Sequence, residues 1–177
     1  MKSLTLLRHA KAGWNNPSQR DFDRPLDERG RRAAPRMGFY LRTEGLAFDR
    51  VLVSPSVRTL ETLALVEEGY GAKLAEIEDE RVYLASSDTL LDLIHDLPDE
   101  WGSILIVGHN PGFEDLGMLL AGQGPARLMA LLAAFLPTAG VVSLAFDVDH
   151  WADIRPGEGM LVRFTRPVDL DRSLDGD

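Results

Sequence analysis

The chain contains no cysteine. Disulfides, a thiolate nucleophile and thiolate-bound metal are excluded, and the redox compartment is left open. Long apolar runs are missing too, since no stretch approaches the roughly 18 consecutive apolar residues of a membrane span. The apolar run after Met1-Lys2-Ser3 is too brief for the core of a secretory signal and ends in charge rather than a cleavage site. A cytoplasmic protein without membrane association is therefore expected. A Walker A sequence, a GxGxxG fingerprint and an HExxH pair are all absent, and no metal or cofactor is expected. Basic residues number 19 against 28 acidic ones, for a net charge of −9. That balance disfavours general nucleic-acid binding, which needs a basic footprint. On such a chain, arginines gathered in one place would form a local positive pocket for a small anion or a single modified site on a partner.

What is present is ordinary for a globular protein: 177 residues, 45% hydrophobic and 27% charged, enough for one domain with a sizeable core. Residues 1–168 are expected to form that domain, with an acidic, flexible tail over 169–177. Strand and helix patterns alternate. Residues 3–8, 50–53 and 103–107 read as buried strands, with a short strand near 74–77 and two last strands, Val141–Phe146 and Met160–Thr165. Helical patterns cover 27–44, from Ser54 and Pro55 to about 68, then 87–97, the stretch after Pro111, and Ala126 to Leu136. Asp27 and Ser54 suit N-caps and Gly45 a C-terminal stop. Residues 10–25, with Gly13, two asparagines and two prolines, read as a long loop of the kind that carries function. The alternation predicts a three-layer α/β/α sandwich on a mostly parallel sheet, with the last two strands as an antiparallel edge.

Three strand ends carry the chemistry. Arg8-His9 follows Leu4-Thr5-Leu6-Leu7, Gly108-His109-Asn110-Pro111-Gly112 follows Ile104–Val107, and Ser54-Pro55 follows Val51–Val53 with Arg58 early in the next helix. Ligands of open α/β sheets bind at the carboxyl ends of the strands. A neutral imidazole attacks a phosphoryl group readily and the resulting phosphohistidine hydrolyses easily, so His9 is the candidate nucleophile. The bland alternative is a hydrogen-bonded structural histidine. Arg8 and Arg58 are candidate phosphate clamps through bidentate guanidinium forks; a lone arginine would more ordinarily be solvated or ion-paired. His109, if protonated, could donate to a phosphoryl oxygen, with Gly108 allowing close backbone approach and the helix near Pro111 adding its dipole. A carboxylic acid is wanted to protonate the leaving group, and Glu80, Asp79, Glu78 and Glu76 are equally available by composition. A phosphoramidate substrate needs that help less. Thr59 and Thr62 suit phosphate or packing contacts alike, His95 and His150 read as surface and turn residues, and Leu128, Met129, Leu131 and Leu132 read as core or lid packing.

The segments LLRHA at 6–10, RPLDERG at 24–30, VLVSPSVRT at 51–59 and VGHNPG at 107–112 together resemble the histidine phosphatase (phosphoglycerate mutase-like) superfamily, and within it the short SixA-type phosphohistidine phosphatases. The resemblance implies a phosphohistidine intermediate on His9, a pocket of Arg8, Arg58 and His109, and Glu80, in DERVY, as the match to the acid of larger relatives. Ala10 stands where many relatives have glycine, and the long insertions that cap the site of mutases are lacking. The expected activity is hydrolysis of phosphohistidine in a partner protein by a monomeric enzyme. The alternatives are a small-molecule phosphomonoesterase using the same site and a non-catalytic module that binds phosphorylated partners.

Overall fold

The computed structural model describes residues 1–14 and 16–175. Seven strands, β1 (Lys2–Arg8), β2 (Arg50–Val53), β3 (Glu76–Glu78), β4 (Ser103–Gly108), β5 (Ala121–Gln123), β6 (Val141–Phe146) and β7 (Gly159–Thr165), form one sheet in the order β3-β2-β4-β1-β6-β7-β5. Four of the pairings are parallel, and β6 alone among the described strands runs against the rest, between β1 and β7. Helices α1 (Glu28–Thr43), α2 (Val57–Tyr70) and α6 (Pro167–Leu170) lie on one face, and α3 (Ser87–His95), α4 (Gly112–Leu120) and α5 (Ala126–Ala134) on the other. No helix among the described residues is long and apolar enough to cross a membrane.

The two-residue period of the strands builds both cores. Leu4, Leu6, Leu52, Ile104 and Ile106 point to the α3–α5 face, while Leu7, Val51, Val53, Leu105 and Val107 point to the α1–α2 face. A sheet covered on both sides needs such nearly unbroken apolar strands, and that is why they read so clearly in the sequence. Thr5 interrupts β1 but meets Ser143 of β6 hydroxyl to hydroxyl at 2.9 Å, so its buried oxygen is satisfied.

Local signals behave as expected at α1: the Asp27 carboxylate accepts from Gly30 N at 2.8 Å, and Gly45 adopts a φ of 72° just past the end. Pro35 is accommodated within α1. Helices α1 and α2 cross closely because Gly38 and Gly69 lack side chains there. A Cβ on Gly69 would lie 1.8 Å from the Pro35 carbonyl oxygen, and one on Gly38 2.0 Å from that of Val66. Gly69→Ala is therefore expected to destabilise the protein by about 1–3 kcal/mol, measured by urea unfolding, because backbone rather than a movable side chain must give way.

Three expectations need correcting. Ser54 does not cap α2; Ser56 occupies the N-cap position, without a side-chain cap bond, and Ser54 is engaged elsewhere. The last two strands are not the edge, because the short Ala121–Gln123 strand pairs in parallel with β7 outside them. The segment from Asp169 to Asp175, expected to fray, packs on α1. Leu174 is buried, Ser173 Oγ accepts from Arg32 at 3.0 Å, and Arg29 donates to the Asp175 carbonyl. The rest of the expected tail, 176–177, lies outside the described residues.

Candidate active site

Arg8 pairs in register with Gly108 across the parallel β1–β4 ladder, so the residues that follow, His9 and His109, leave the sheet side by side. The chain after β1 goes to α1 on one face and the chain after β4 to α4 on the other. A crevice opens where adjacent strands part in this way. His9 N donates to the Gly108 carbonyl at 2.9 Å, and the two imidazole centroids are 5.3 Å apart.

The crevice is a cavity of about 590 Å³ lined by Arg8, His9, Lys11, Ala12, Trp14, Asp21, Arg24, Arg58, Leu84, Asn110 and Thr138. Four cations and one carboxylate face it, within a chain of net charge −9. That imbalance creates a focused positive potential, which favours a doubly charged phosphoryl group.

Hydrogen bonds fix the state of both histidines. The Ala10 carbonyl lies 2.7 Å from His9 Nδ1 and can only accept, so the proton sits on Nδ1 and Nε2 is left with its lone pair. Burial, helped by the charges of Arg58, Arg8 and Arg24 and opposed by the Ala10 hydrogen bond, lowers the His9 pKa to about 3. His109 is neutral with the opposite assignment. Arg58 Nη2 donates to its Nδ1 at 3.3 Å, so Nε2 carries the proton and donates to Ser54 Oγ at 2.8 Å. Burial, then repulsion from His9 and Arg58, brings its pKa to about 3 as well. His109 therefore sits behind Arg58 as a neutral acceptor rather than in the wall as a protonated donor. Gly108 serves packing, since a Cβ there would lie 2.7 Å from Phe113 Cζ.

Arg58 is 3% exposed although charged. It donates to the Asp21 carbonyl at 2.8 Å and to Asp21 Oδ2 at 3.0 Å, and its buried Nε has no partner among the described residues. A donor buried without a partner is costly, and Arg58 carries that cost at the wall of the crevice. Arg8 donates to the Leu136 carbonyl at 3.0 Å, which Asn110 Nδ2 also reaches at 2.9 Å. Thr62 Oγ1 accepts from Ala10 N at 2.9 Å and Thr59 bonds to the Ser54 and Ser56 carbonyls, so both threonines shape the backbone rather than face the crevice.

Glu80 is not brought into this group. It is exposed in a 3-10 turn (Glu80–Val82). That segment contributes Tyr83 instead, whose hydroxyl donates to Asp21 Oδ2 at 2.7 Å. Desolvation would raise the Asp21 pKa, but hydrogen bonds from Tyr83, Arg24 and Arg58 prevail and hold it at about 2. Asp21, Arg24, Trp14, Tyr83 and Ser54 were not singled out as site residues from sequence. Asp21 and Arg24 have a usable signal, opposite charges three apart inside the suspected functional loop, and Ser54 has its place at the end of an apolar strand; Tyr83 has none. Arg24 stacks on Trp14, 3.6 Å from its ring centre, at the rim. His95 donates to the Ile154 carbonyl and His150 pairs with Asp99, both away from the crevice.

These states imply a pH dependence of stability. The two imidazoles have folded pKa values near 3 against an ordinary 6.5. Between those limits the unfolded chain binds more protons than the folded one, so stability rises with pH. Their contribution is complete above about 6.5 and is lost as pH falls toward 3. The expected result is a Tm that drops on acidification through this window in the wild type and drops less in His109→Gln, followed by calorimetry.

The histidine phosphatase superfamily (branch 1) model matches residues 4–82. An uncharacterized protein of Mycobacterium tuberculosis is 35% identical over 163 residues, covering 91% of this chain and 99% of its own. Among solved structures, a SixA from Nakamurella multipartitia superposes with TM-score 0.81 at 29% identity, covering 94% of this chain and 96% of that one. A SixA from Agrobacterium tumefaciens gives 0.77 at 29%, covering 94% and 98%. With its sheet order and paired strand-end histidines, this chain belongs to the histidine phosphatase superfamily, on the short SixA-type branch, and is a phosphatase of that family.

Proposed function

We propose that the enzyme hydrolyses phosphohistidine in a partner protein through a phosphoryl group carried on His9. The carrying observation is the state of Asp21. It is the one carboxylate among the described residues that line the crevice, and with a pKa near 2 it is ionised and has no proton to give. An alkoxide leaving group needs a donor, whereas an imidazole phosphorylated on one nitrogen and protonated on the other departs neutral without one.

In the proposed reaction, Arg8, Arg24 and Arg58 hold the phosphoryl oxygens and match the charge spread over them in the transition state. His9 Nε2 attacks phosphorus in line, the P–N bond to the substrate imidazole breaks, and that imidazole keeps the electron pair. The Nδ1 proton of His9, held by the Ala10 carbonyl, makes phospho-His9 a cationic imidazolium. Water then attacks phosphorus, and His9 leaves as the neutral imidazole it began as.

Glu80 has no part in this scheme. The test compares phosphohistidine protein, phosphoimidazole and alkyl phosphates under one set of conditions. The nitrogen-linked substrates should be favoured in kcat/KM by about 10²–10⁴, the usual contribution of the general acid this site lacks. Equal rates on alkyl phosphates would establish the small-ester reading instead, and phosphate-dependent binding without turnover would establish a binding module.

A further inference from the structure

Beside the phosphoryl crevice lies a second cavity of about 370 Å³, between the start of α1, the end of α5 and α6. Lys11 and Thr138 line both cavities, so the two adjoin. Its walls include Leu131, Phe135 and Val168, an apolar lining of the kind that takes a large side chain. Its charged groups are Lys11, Arg29, Arg166 and Asp175, and they are not equivalent. Arg166 is matched by Asp169 at 2.7 Å. The Lys11 ammonium, on the ridge between the cavities, has no side-chain partner among the described residues.

We infer that this cavity is a recognition subsite for the phosphorylated partner. It takes a large apolar side chain beside the phosphohistidine, with an acidic side chain of the same partner placed against Lys11. The inference rests on the proposed phosphohistidine activity. It adds a specificity for the surroundings of the modified residue, supplied by a surface the phosphoryl group does not touch. Continuity through Lys11 and Thr138 argues for one ligand spanning both cavities, and the Lys11 ammonium, without a side-chain partner among the described residues, argues for a carboxylate in it.

The test uses phosphohistidine peptides carrying leucine with aspartate, or glycine with asparagine, at neighbouring positions, with phosphoimidazole as the reference. Wild-type enzyme should favour the leucine–aspartate peptides by about tenfold in kcat/KM. Ala134→Glu and Val168→Glu, which place a carboxylate in the cavity away from the phosphoryl crevice, should remove that preference and leave phosphoimidazole hydrolysis unchanged. The unchanged phosphoimidazole rate also shows that the variants fold. Equal rates on all peptides with the wild type, or a preference that survives both variants, would overturn the subsite while leaving the phosphohistidine activity intact. Failure to turn over any phosphohistidine compound, phosphoimidazole included, would overturn both.

Discussion

Replacing His9 by alanine should lower kcat by at least about 10⁴-fold, the scale on which enzymes lose their nucleophile. The expectation follows from what the crevice offers an incoming phosphorus atom. His9 Nε2 is the lone pair left bare by the Ala10 hydrogen bond. The second imidazole cannot substitute, because its Nδ1 already accepts from Arg58 and its Nε2 is committed to Ser54. No thiol exists in the chain. A neutral resting imidazole also matters, since a His9 with an ordinary pKa beside three arginines would be partly protonated and useless as a nucleophile below pH 6.5. Burial removes that loss by bringing the pKa to about 3. His9→Ala should still bind tungstate, showing that the arginine pocket survives. Wild-type protein exposed briefly to a phosphohistidine donor and quenched in base should carry phosphate on His9 by mass spectrometry. Retention of a tenth of wild-type turnover by the variant would sink this mechanism.

How much of this could be read from the sequence depends on the range of the interactions involved. Strands β1, β2 and β4 were legible because both their faces are buried, which leaves apolar runs that end abruptly in Arg8-His9, Ser54 and Gly108-His109. The charges at those ends stand out against their surroundings; Arg8, His9 and Arg58 line the crevice, and His109 packs behind Arg58. Glu80 lies apart on the exposed turn after β3, which contains several acids that nothing local distinguishes. The carboxylate that does line the crevice, Asp21, arrives from a loop held by contacts 37 and 62 residues away, to Arg58 and Tyr83. Such pairings leave no periodic trace. Ser54 misled for a related reason: a serine before proline at a helix start looks like a cap, and only the position of His109 shows its other role. Charge dominates the sequence of the tail and masks Leu174 and the basic face of α1 that receives it. Strand β5 is three residues containing a glycine, too short for any pattern.

Arg58→Ala should reduce kcat/KM by about 10³-fold, and Arg58→Lys should recover little of it. The loss has two parts. One is the guanidinium that would bind the transferring phosphoryl group, an interaction of the size that arginine supplies in phosphoryl transfer. The other is the framework it holds, since the same side chain ties the 10–25 loop to α2 through the Asp21 carbonyl and carboxylate and orients His109. A lysine cannot span three acceptors lying in different directions, because its donors sit on one compact ammonium rather than a planar fork. Two readouts separate the parts. Removing the Arg58 charge takes away one cause of the low His109 pKa, so its imidazole should titrate at higher pH in the variant, seen by NMR. Asp21→Asn, by contrast, keeps Arg58 and the Asp21 carbonyl bond but removes the carboxylate. In the proposed scheme Asp21 is no proton donor, so this variant should retain phosphoimidazole turnover within about tenfold of wild type, well short of the 10²–10⁴ lost with a general acid. Loss of activity in Asp21→Asn as deep as in Arg58→Ala would mean that the carboxylate does move a proton. The leaving group would then be one that requires it, and the case for a nitrogen-linked phosphoryl substrate would fall.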